Sequence, residues 1–370
     1  KLTNQTLRQA EALAAKLWGA DYARFSTGGS THANQAIIFA LGQPGDRVAV
    51  SRTAHRSVLS ALVLAGLEPI WMSPEIDSAT GVPIGIAVTE LQSALAEKPI
   101  AILLTEPGYL GTISDLPALI KVAHQEKVPV ILDAAWGGHF GFHPQLPQHA
   151  FQMGADALIT STHKALPGYS ASALLLARTE LLSAERLEQS FETTHTTSPA
   201  GAPLASIDGV RALLQTRGDQ LTGELVSLVN SFKAAVQAHF AETIFLNATD
   251  FPSKRFDPVK IVLRANILGL SGVDVERELQ QANIRVEMAD RDTIVFLATL
   301  ADTAEDFTVL ENALVPILKK LQGPTRQTQT SLSWSVVPTV AISMRDAYFA
   351  DTEFVSAKDA IGRISADLIA

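Results

Sequence analysis

Cysteine is absent from the 370-residue sequence, which excludes disulfide bonds, thiol catalysis and cysteine-ligated metal sites. Long apolar runs are also missing, because the longest, Val58–Leu67, is interrupted by Ser60 and is too short to cross a bilayer. The net charge of −9 is spread along the chain without basic blocks, which disfavours nucleic acid as a partner. These absences predict a soluble globular protein, compatible with the cytoplasm. The chain starts at Lys1 without a signal-peptide pattern, and this end is expected to be a fragment boundary.

Short apolar, β-rich segments alternate with helical patterns between Tyr22 and Ala177. The strand-like segments are "YARF", "RVAV", "EPIWM", "IAILLT", "VPVILD", "DALIT" and "SALLLA". This alternation predicts an α/β fold with a mostly parallel, doubly wound sheet and helices on both faces. Ligands of such sheets bind beyond the carboxyl ends of the strands, so functional residues are expected there.

The second half of the chain predicts a long helix followed by a small α+β unit. Apolar residues at helical spacing favour a helix over Asp208–Phe240, although Gly218 and Gly223 weaken it. The segment Lys260–Leu321 then gives strand "KIVLRA", a helix, strands "IRVEM" and "TIVFLA" and a second helix, which together form a βαββα unit.

A change in composition marks the start of the last segment. Between Gly323 and Ser333 the chain turns to Gly, Pro, Thr, Gln and Ser, which is typical of a linker. A strand-like "PTVAIS" and the start of a helix follow. We therefore expect a large domain over 1–240, a small domain over 241–322, and a linker with a truncated C-terminal segment over 323–370.

Paired glycines and hydroxyl residues lie at the first of three informative strand ends, in "STGGSTHAN" (Ser26–Asn34). Backbone N–H groups, the start of a helix and the hydroxyls of Ser30 and Thr31 would together form a cradle for a phosphate group. The alternative is an ordinary glycine-rich turn with a capped helix, and this segment taken alone favours that alternative.

Asp133 closes the apolar strand "VPVILD" at the second strand end. A buried carboxylate is costly without a cation, so we expect either a structural salt bridge or the cation of a bound ligand. His139 and His143 follow, but their aromatic and proline neighbours and the lack of a third ligand at suitable spacing favour packing over zinc binding.

Lys164 lies at the third strand end, in "ITSTHKALPG" (Ile159–Gly168). It follows a buried-type strand and precedes a segment that returns to the core, so its amine is expected to be partly desolvated. Desolvation lowers the pKa of a lysine and makes it a candidate Schiff-base nucleophile. A solvated surface lysine is the usual alternative.

The three strand ends together match what pyridoxal 5′-phosphate requires of a protein. Asp133 would pair with the protonated ring nitrogen, and Lys164 would bond to the aldehyde. The phosphate would be anchored by three hydroxyl residues, Ser30, Thr31 and Ser161. Each signal is weak alone, and their joint order and spacing favour this cofactor.

Several segments resemble the ornithine/lysine/arginine decarboxylases, which are fold type I pyridoxal-phosphate enzymes. They include "GGSTHANQA", "DAAWGGHFGFHP", "STHKALPGYSASALLLA", "TTHTTSPAGAPLASIDGVRA" and "RDAYFADTEFVSAKDAIGRISADLIA". The resemblance covers nearly the whole chain. It implies a decarboxylase that converts lysine, ornithine or arginine to the corresponding amine, a reaction of polyamine biosynthesis. Trp136 stands where many relatives carry His, and Glu106 stands where Asn is common.

The resemblance also implies a role for individual residues. His55 would stack on the pyridine ring, and Ala135 would lie against that ring. His163 would lie next to the substrate carboxylate, and either His163 or Lys164 would protonate the product. Thr196 would contact the phosphate bound by a neighbouring subunit, which implies a homodimer or higher homo-oligomer with shared active sites.

Other functions stay open at this point. An aminotransferase or a lyase of the same fold would share the cofactor residues, and Arg264 or Arg285 could bind the α-carboxylate in an aminotransferase. A catalytically silent homologue is disfavoured because both Lys164 and Asp133 are retained. The substrate is not identified: Glu287 is a candidate for its distal group, although a solvated carboxylate is the favoured role.

Overall fold

The structure is a computed structural model that describes residues 4–251, 253–328 and 339–365. Its strands are β1 (Tyr22–Ser26), β2 (Arg47–Ser51), β3 (Glu68–Met72), β4 (Pro74–Ile76), β5 (Pro83–Ile86), β6 (Ile102–Thr105), β7 (Val130–Asp133), β8 (Ala157–Ser161), β9 (Ala173–Ala177), β10 (Ile261–Arg264), β11 (Met288–Ala289) and β12 (Thr293–Phe296). Its helices are α1 (Asn4–Trp18), α2 (Gly29–Leu41), α3 (Arg56–Ala65), α4 (Val88–Leu95), α5 (Leu116–Gln125), α6 (Ala184–Thr194), α7 (Gly201–Gln237), α8 (Gly272–Gln281), α9 (Ala304–Leu321) and α10 (Met344–Phe349).

The central sheet has the order β1-β9-β8-β7-β6-β2-β3. The strands from β8 to β3 pair in parallel, whereas β9 is antiparallel to both of its neighbours. The sequence prediction of a mostly parallel α/β sheet is therefore confirmed. The strands β1, β7 and β8 point the same way, so the three segments singled out in the sequence lie at one edge of the sheet.

Both faces of the sheet are buried, which explains why its strands read as continuous apolar runs rather than alternating ones. On β7, Val130 and Leu132 belong to the hydrophobic cluster that includes α1, α4, α5 and the start of α7. Ile131, between them, belongs to the cluster formed with α2, α3 and α6. Side chains of a strand alternate between faces, so a strand covered by helices on both sides needs apolar residues throughout.

The helix α7 runs without a break through Gly218 and Gly223, which had weakened its prediction. A β-carbon at Gly218 would lie 3.0 Å from Phe142 Cδ1, and one at Gly223 would lie 2.8 Å from His143 Nε2. The two glycines therefore allow the segment after β7 to lie against the helix. Packing at these positions outweighs the intrinsic helix propensity of the residue.

A second unit is built from the antiparallel sheet β10-β12-β11 with α8 and α9 packed on it. The predicted strands "KIVLRA" and "TIVFLA" correspond to β10 and β12. The predicted strand over 284–288 is wrong, because only Met288 of that stretch is in a strand and β11 is Met288–Ala289. Asn283 has a left-handed φ of 60°, so the chain leaves α8 through a turn before it reaches the sheet. The domain boundaries themselves remain a prediction.

The residues expected to form a linker lie against the second unit where the structure describes them. Gly323 N donates to Leu268 O at 2.9 Å, and Arg326 N donates to Asn266 O at 2.9 Å. In the predicted strand "PTVAIS", Pro338 lies outside the described residues, and residues 339–343 form no strand. The helix expected after it is α10. No helix in the described ranges is long and apolar enough to span a membrane.

Candidate active site

The carboxyl ends of β1 and β8 lie level with each other on either side of β9. Ser26 is opposite Ala173, and Ala173 is opposite Ser161. The chain turns after Ser26 into α2, where Ser30 Oγ lies 2.8 Å from Ser161 Oγ. The structure thus brings together two of the three hydroxyl residues predicted to bind phosphate. The third, Thr31, is exposed on the first turn of α2.

The backbone at the start of α2 has the features of an anion-binding site. Gly28 occupies the N-cap position, where no side chain accepts a hydrogen bond from the first turn. Gly29 has a φ of +68°, and a β-carbon there would lie 3.2 Å from Ala171 Cβ, so the turn needs glycine. The N–H groups of the first helical turn and the positive end of the helix dipole stabilise negative charge.

Asp133 ends β7 and is buried, with 4% of its surface exposed. Its Oδ2 accepts a hydrogen bond from Asn34 Nδ2 at 2.9 Å, and its Oδ1 accepts one from Ala135 N at 3.1 Å. Among the described residues it forms no salt bridge, so the structural ion pair considered from the sequence is not what holds it. The carboxyl group is oriented by two neutral donors.

His55 is the N-cap residue of α3, and its Nδ1 accepts a hydrogen bond from Ser57 N at 3.1 Å. Ser57 Oγ in turn accepts one from Asn34 Nδ2 at 2.9 Å, so one hydrogen-bonded chain connects His55 to Asp133. Burial lowers the pKa of His55, Asp133 raises it, and Lys164 lowers it. These electrostatic effects place the imidazole near both charged groups.

Lys164 follows β8 and is partly buried, as its sequence context predicted. Burial lowers its pKa, whereas the carboxylates of Asp133 and Glu287 act in the opposite direction. Its Nζ lies 4.2 Å from the centroid of the Trp136 ring, a cation–π contact. The preceding His163 has its Nδ1 2.8 Å from Ser172 O, which fixes the imidazole beside the lysine.

A cavity of ≈ 520 Å³ adjoins this group, within the range of about 300–1,000 Å³ typical of small-molecule sites. Its wall includes Ser51 at the end of β2, Glu106 after β6, and Tyr109, Met288 and Asp290. Glu106, in the cavity wall, donates its backbone N–H to Asp133 O at 3.0 Å. The cavity therefore lies next to the residue that carries the buried carboxylate.

Comparison with known proteins identifies the family. The model of the "Orn/Lys/Arg decarboxylase, major domain" matches residues 3–251. The chain belongs to the Orn/Lys/Arg decarboxylase family. An arginine decarboxylase of Bacillus subtilis is 35% identical over 98% of this chain and 75% of its own length. A lysine decarboxylase of Pseudomonas aeruginosa is 27% identical over 62% of this chain and 34% of its own length.

The fold agrees with that of a solved member of the family. Lysine decarboxylase A from Pseudomonas aeruginosa superimposes with a TM-score of 0.76 at 19% sequence identity. The alignment covers 92% of this chain and 60% of the solved one, so the chain spans about three fifths of that decarboxylase. The predicted fold type and the predicted class of enzyme, amino-acid decarboxylases, are both confirmed at the level of the family.

Thr196 lies between α6 and α7 rather than at one of the three strand ends. It is exposed, and its Oγ1 accepts a local hydrogen bond from Ser198 N at 3.2 Å. Its neighbour His195 is nearer, because His195 Nε2 accepts a hydrogen bond from Thr27 N at 3.3 Å, just before the glycine pair. The role of Thr196 toward a neighbouring subunit therefore stays a prediction.

The two histidines assigned to packing are held by protein contacts. His139 is buried, and its Nε2 lies 3.1 Å from Asp257 Oδ1. His143 lies against α7 at Gly223. In the described part of the chain no three His, Asp or Glu side chains are grouped so that they could hold a metal ion.

Two polar residues and two further residues were not predicted from the sequence but lie in the region around Asp133 and Lys164. Asn34 and Ser57 connect His55 to Asp133, and Tyr109 and Lys260 lie beside Trp136. Asn34 had a usable signal, because it is four residues after Ser30 and therefore on the same face of α2. Lys260 had none, because it is separated from Lys164 by almost a hundred residues.

Proposed function

We propose that this chain is a pyridoxal-phosphate-dependent decarboxylase of a basic amino acid, with arginine as its first candidate substrate. The observation that carries the proposal is the meeting of three groups at one sheet edge: a desolvated amine at Lys164, a carboxylate without a cation at Asp133, and an anion cradle at Ser30 and Ser161. Arginine is favoured because the curated arginine decarboxylase is similar over almost the entire chain.

The donor set fits the cofactor group by group. The uncapped start of α2 and the Ser30–Ser161 hydroxyl pair supply donors for a phosphate. Asp133 would hold the proton on the pyridine nitrogen, since a buried carboxylate with two neutral donors still requires a positive partner. His55, electrostatically coupled to both Asp133 and Lys164, would cover the ring between them.

The chain's own residues then perform three tasks. Lys164 would hold the cofactor through its Nζ. The bound cofactor supplies an electron-accepting ring for the electron pair left on Cα when carbon dioxide departs. Asp133 stabilises the positive charge that makes such acceptance favourable. Lys164 or His163, adjacent in sequence, would deliver the proton to Cα, and the lowered pKa of Lys164 suits a group that both takes and gives a proton.

The adjoining cavity is the proposed site of the substrate side chain. Its wall includes the acidic Asp290 and Asp292 as well as the basic Arg291, and this excess of acidic residues would favour a cationic distal group over an apolar one. The product would then be a basic amine, in keeping with polyamine biosynthesis. A homodimer with shared active sites and a cytoplasmic location are part of the same proposal.

The test combines labelling with turnover. Borohydride should fix one cofactor per chain on the peptide that contains Lys164, and Lys164→Arg should carry none. Wild-type protein should release carbon dioxide from arginine faster than from lysine or ornithine. Amino transfer to a keto acid without carbon dioxide release would instead show an aminotransferase, and the absence of both label and turnover would show a silent homologue.

A further inference from the structure

Lys260 is a buried lysine that the proposed roles leave unused. It lies immediately before β10, and only 4% of its surface is exposed. Its Nζ has no hydrogen-bond partner in the part of the chain that the structure describes. Burying an ammonium group without a partner costs several kcal/mol, so its position requires an explanation.

The amine of Lys260 lies beside the proposed Schiff-base lysine. Its Nζ is 3.7 Å from the centroid of the Trp136 ring, and the Nζ of Lys164 is 4.2 Å from the same centroid. The Nζ atoms of the two lysines are therefore separated by at most the sum of their distances to the Trp136 ring centroid. Tyr109 closes another side, with its ring centroid 5.2 Å from Lys260 Nζ and its edge against Trp136.

The charged groups around Lys260 leave its ammonium available. The carboxylates of Asp257 and Glu287 raise its pKa and Lys164 lowers it, but both carboxylates already accept hydrogen bonds from other donors. Asp257 Oδ1 is bound by His139 Nε2 at 3.1 Å and Val259 N at 3.1 Å. Glu287 Oε1 is bound by Tyr109 Oη at 2.7 Å.

We propose that Lys260 binds the α-carboxylate of the amino-acid substrate, an inference that rests on the proposed function. A substrate joined through its α-amine at Lys164 must bring its carboxylate to within a few ångströms of that nitrogen, and the ammonium of Lys260 contacts the same Trp136 ring as that nitrogen. The distal cation of the substrate would be repelled from the same place. Lys260 would thus fill the role that sequence reasoning assigned, for an aminotransferase, to Arg264 or Arg285.

The chemistry of decarboxylation determines which kinetic constant should change. The negative charge on the carboxylate disappears as neutral carbon dioxide forms, so an ammonium that pairs with it stabilises the bound substrate more than the transition state. Loss of the ammonium should therefore raise KM for the amino acid and leave kcat unchanged or higher. The product amine has no carboxylate, and its binding should not depend on Lys260.

The experiment compares Lys260→Met and Lys260→Arg with Lys320→Met, an exposed lysine of the same unit whose ion pair with Glu278 lies at the surface. For Lys260→Met we expect KM for L-arginine to rise about 10- to 100-fold, the range that a charge-assisted hydrogen bond supplies. The inhibition constant of agmatine and the yellow absorbance of the bound cofactor should stay as in the wild type. Lys260→Arg should keep most of the affinity, and Lys320→Met should match the wild type.

A pH profile gives an independent readout that does not rely on the methionine variant. Burial lowers the pKa of Lys260 to about 8, so the ammonium is lost as the pH rises through that value. KM for L-arginine in the wild type should rise above about pH 8, whereas in Lys260→Arg it should not, because a guanidinium stays charged. The rise should be missing for inhibition by agmatine.

Two different results separate the two proposals. If the wild type labels at Lys164 and releases carbon dioxide but Lys260→Met has an unchanged KM, or KM and the agmatine constant rise together, the role of Lys260 is refuted alone. If the wild type neither takes up the cofactor nor turns over any basic amino acid, the proposed function fails, and the role of Lys260 fails with it.

Discussion

Glu106 should make the stability of this protein fall as the pH rises through the neutral range. The carboxyl group is buried, with 6% of the residue exposed, and burial raises its pKa from 4.5 to about 7. The hydrogen bonds from Ser114 N and Ser114 Oγ, and the charge of Arg255, lower the pKa but do not offset burial. The folded protein therefore binds a proton on Glu106 more tightly than the unfolded chain does.

The sign and size of the effect follow from proton linkage. Because the folded pKa is raised, the contribution of Glu106 is fully present below about pH 4.5 and is lost as the pH rises toward 7. One pKa unit corresponds to about 1.4 kcal/mol, so the loss over this window is about 3 kcal/mol. In a chain of 370 residues such a loss corresponds to roughly 4 °C in the thermal midpoint.

The assay is the midpoint of thermal unfolding between pH 4.5 and pH 8 for the wild type and for Glu106→Gln. Glutamine has nearly the same shape but does not titrate, so the advantage of the wild type at low pH should shrink or reverse by pH 8. Glu126→Gln, at an exposed position, is the matched control and should follow the wild type. A wild-type advantage that is the same at every pH would refute the reasoning.

Three further predictions concern the cofactor cradle, the start of α3 and the packing of α1. Ser161→Ala removes the partner of Ser30 and should weaken cofactor binding about fivefold, measured by absorbance titration, because one hydrogen bond contributes about 1 kcal/mol; unchanged affinity would place the phosphate elsewhere. At His55, Asn keeps the helix cap, so His55→Asn should retain the thermal midpoint and lose activity. Phe keeps the flat ring but not the cap, so His55→Phe should lose about 1 kcal/mol of folding stability and keep cofactor affinity. The reverse order would exclude a stacking role. Arg24→Met removes the nearer of the two arginines paired with the buried Glu11, at 3.1 Å, and should cost about 3–5 kcal/mol in chemical unfolding, most of it restored by adding Glu11→Gln; a loss below 1 kcal/mol would contradict this.

The sheet could be predicted from the sequence because its signal is local. Each strand from β6 to β9 is a short apolar run bounded by polar or small residues. Because both faces of these strands are buried, the runs contain no alternation of polar and apolar residues. The prediction of a strand over 284–288 was wrong because the residue pattern there is that of a strand but the surrounding structure limits its pairing. Ile284, Val286 and Met288 alternate as a strand would, but the turn at Asn283 and the short edge strand β11 limit pairing to two residues.

The candidate site was predictable only where chemistry and strand ends coincide. Asp133, Ser161 and Lys164 each follow an apolar strand, so the topology alone brings them to one edge of the sheet. Lys260 and Tyr109 reach the same place through tertiary packing against Trp136, and no spacing in the sequence carries that information. The link from Asn34 through Ser57 to His55 is intermediate, since all three residues were next to predicted ones but their mutual contacts depend on how α2 meets α3.

The pairing of β1 with β9 joins two segments that are far apart in the sequence. Tyr22 is opposite Ala177, so the first strand of the sheet finds its neighbour only after more than 150 further residues have been added to the chain. A β-carbon at Gly29 would lie 3.2 Å from Ala171 Cβ, at the entrance to β9. A chain that ended before β9 would have the glycine pair but not this contact. The surface against which Gly29 turns is thus completed only when β9 has joined the sheet.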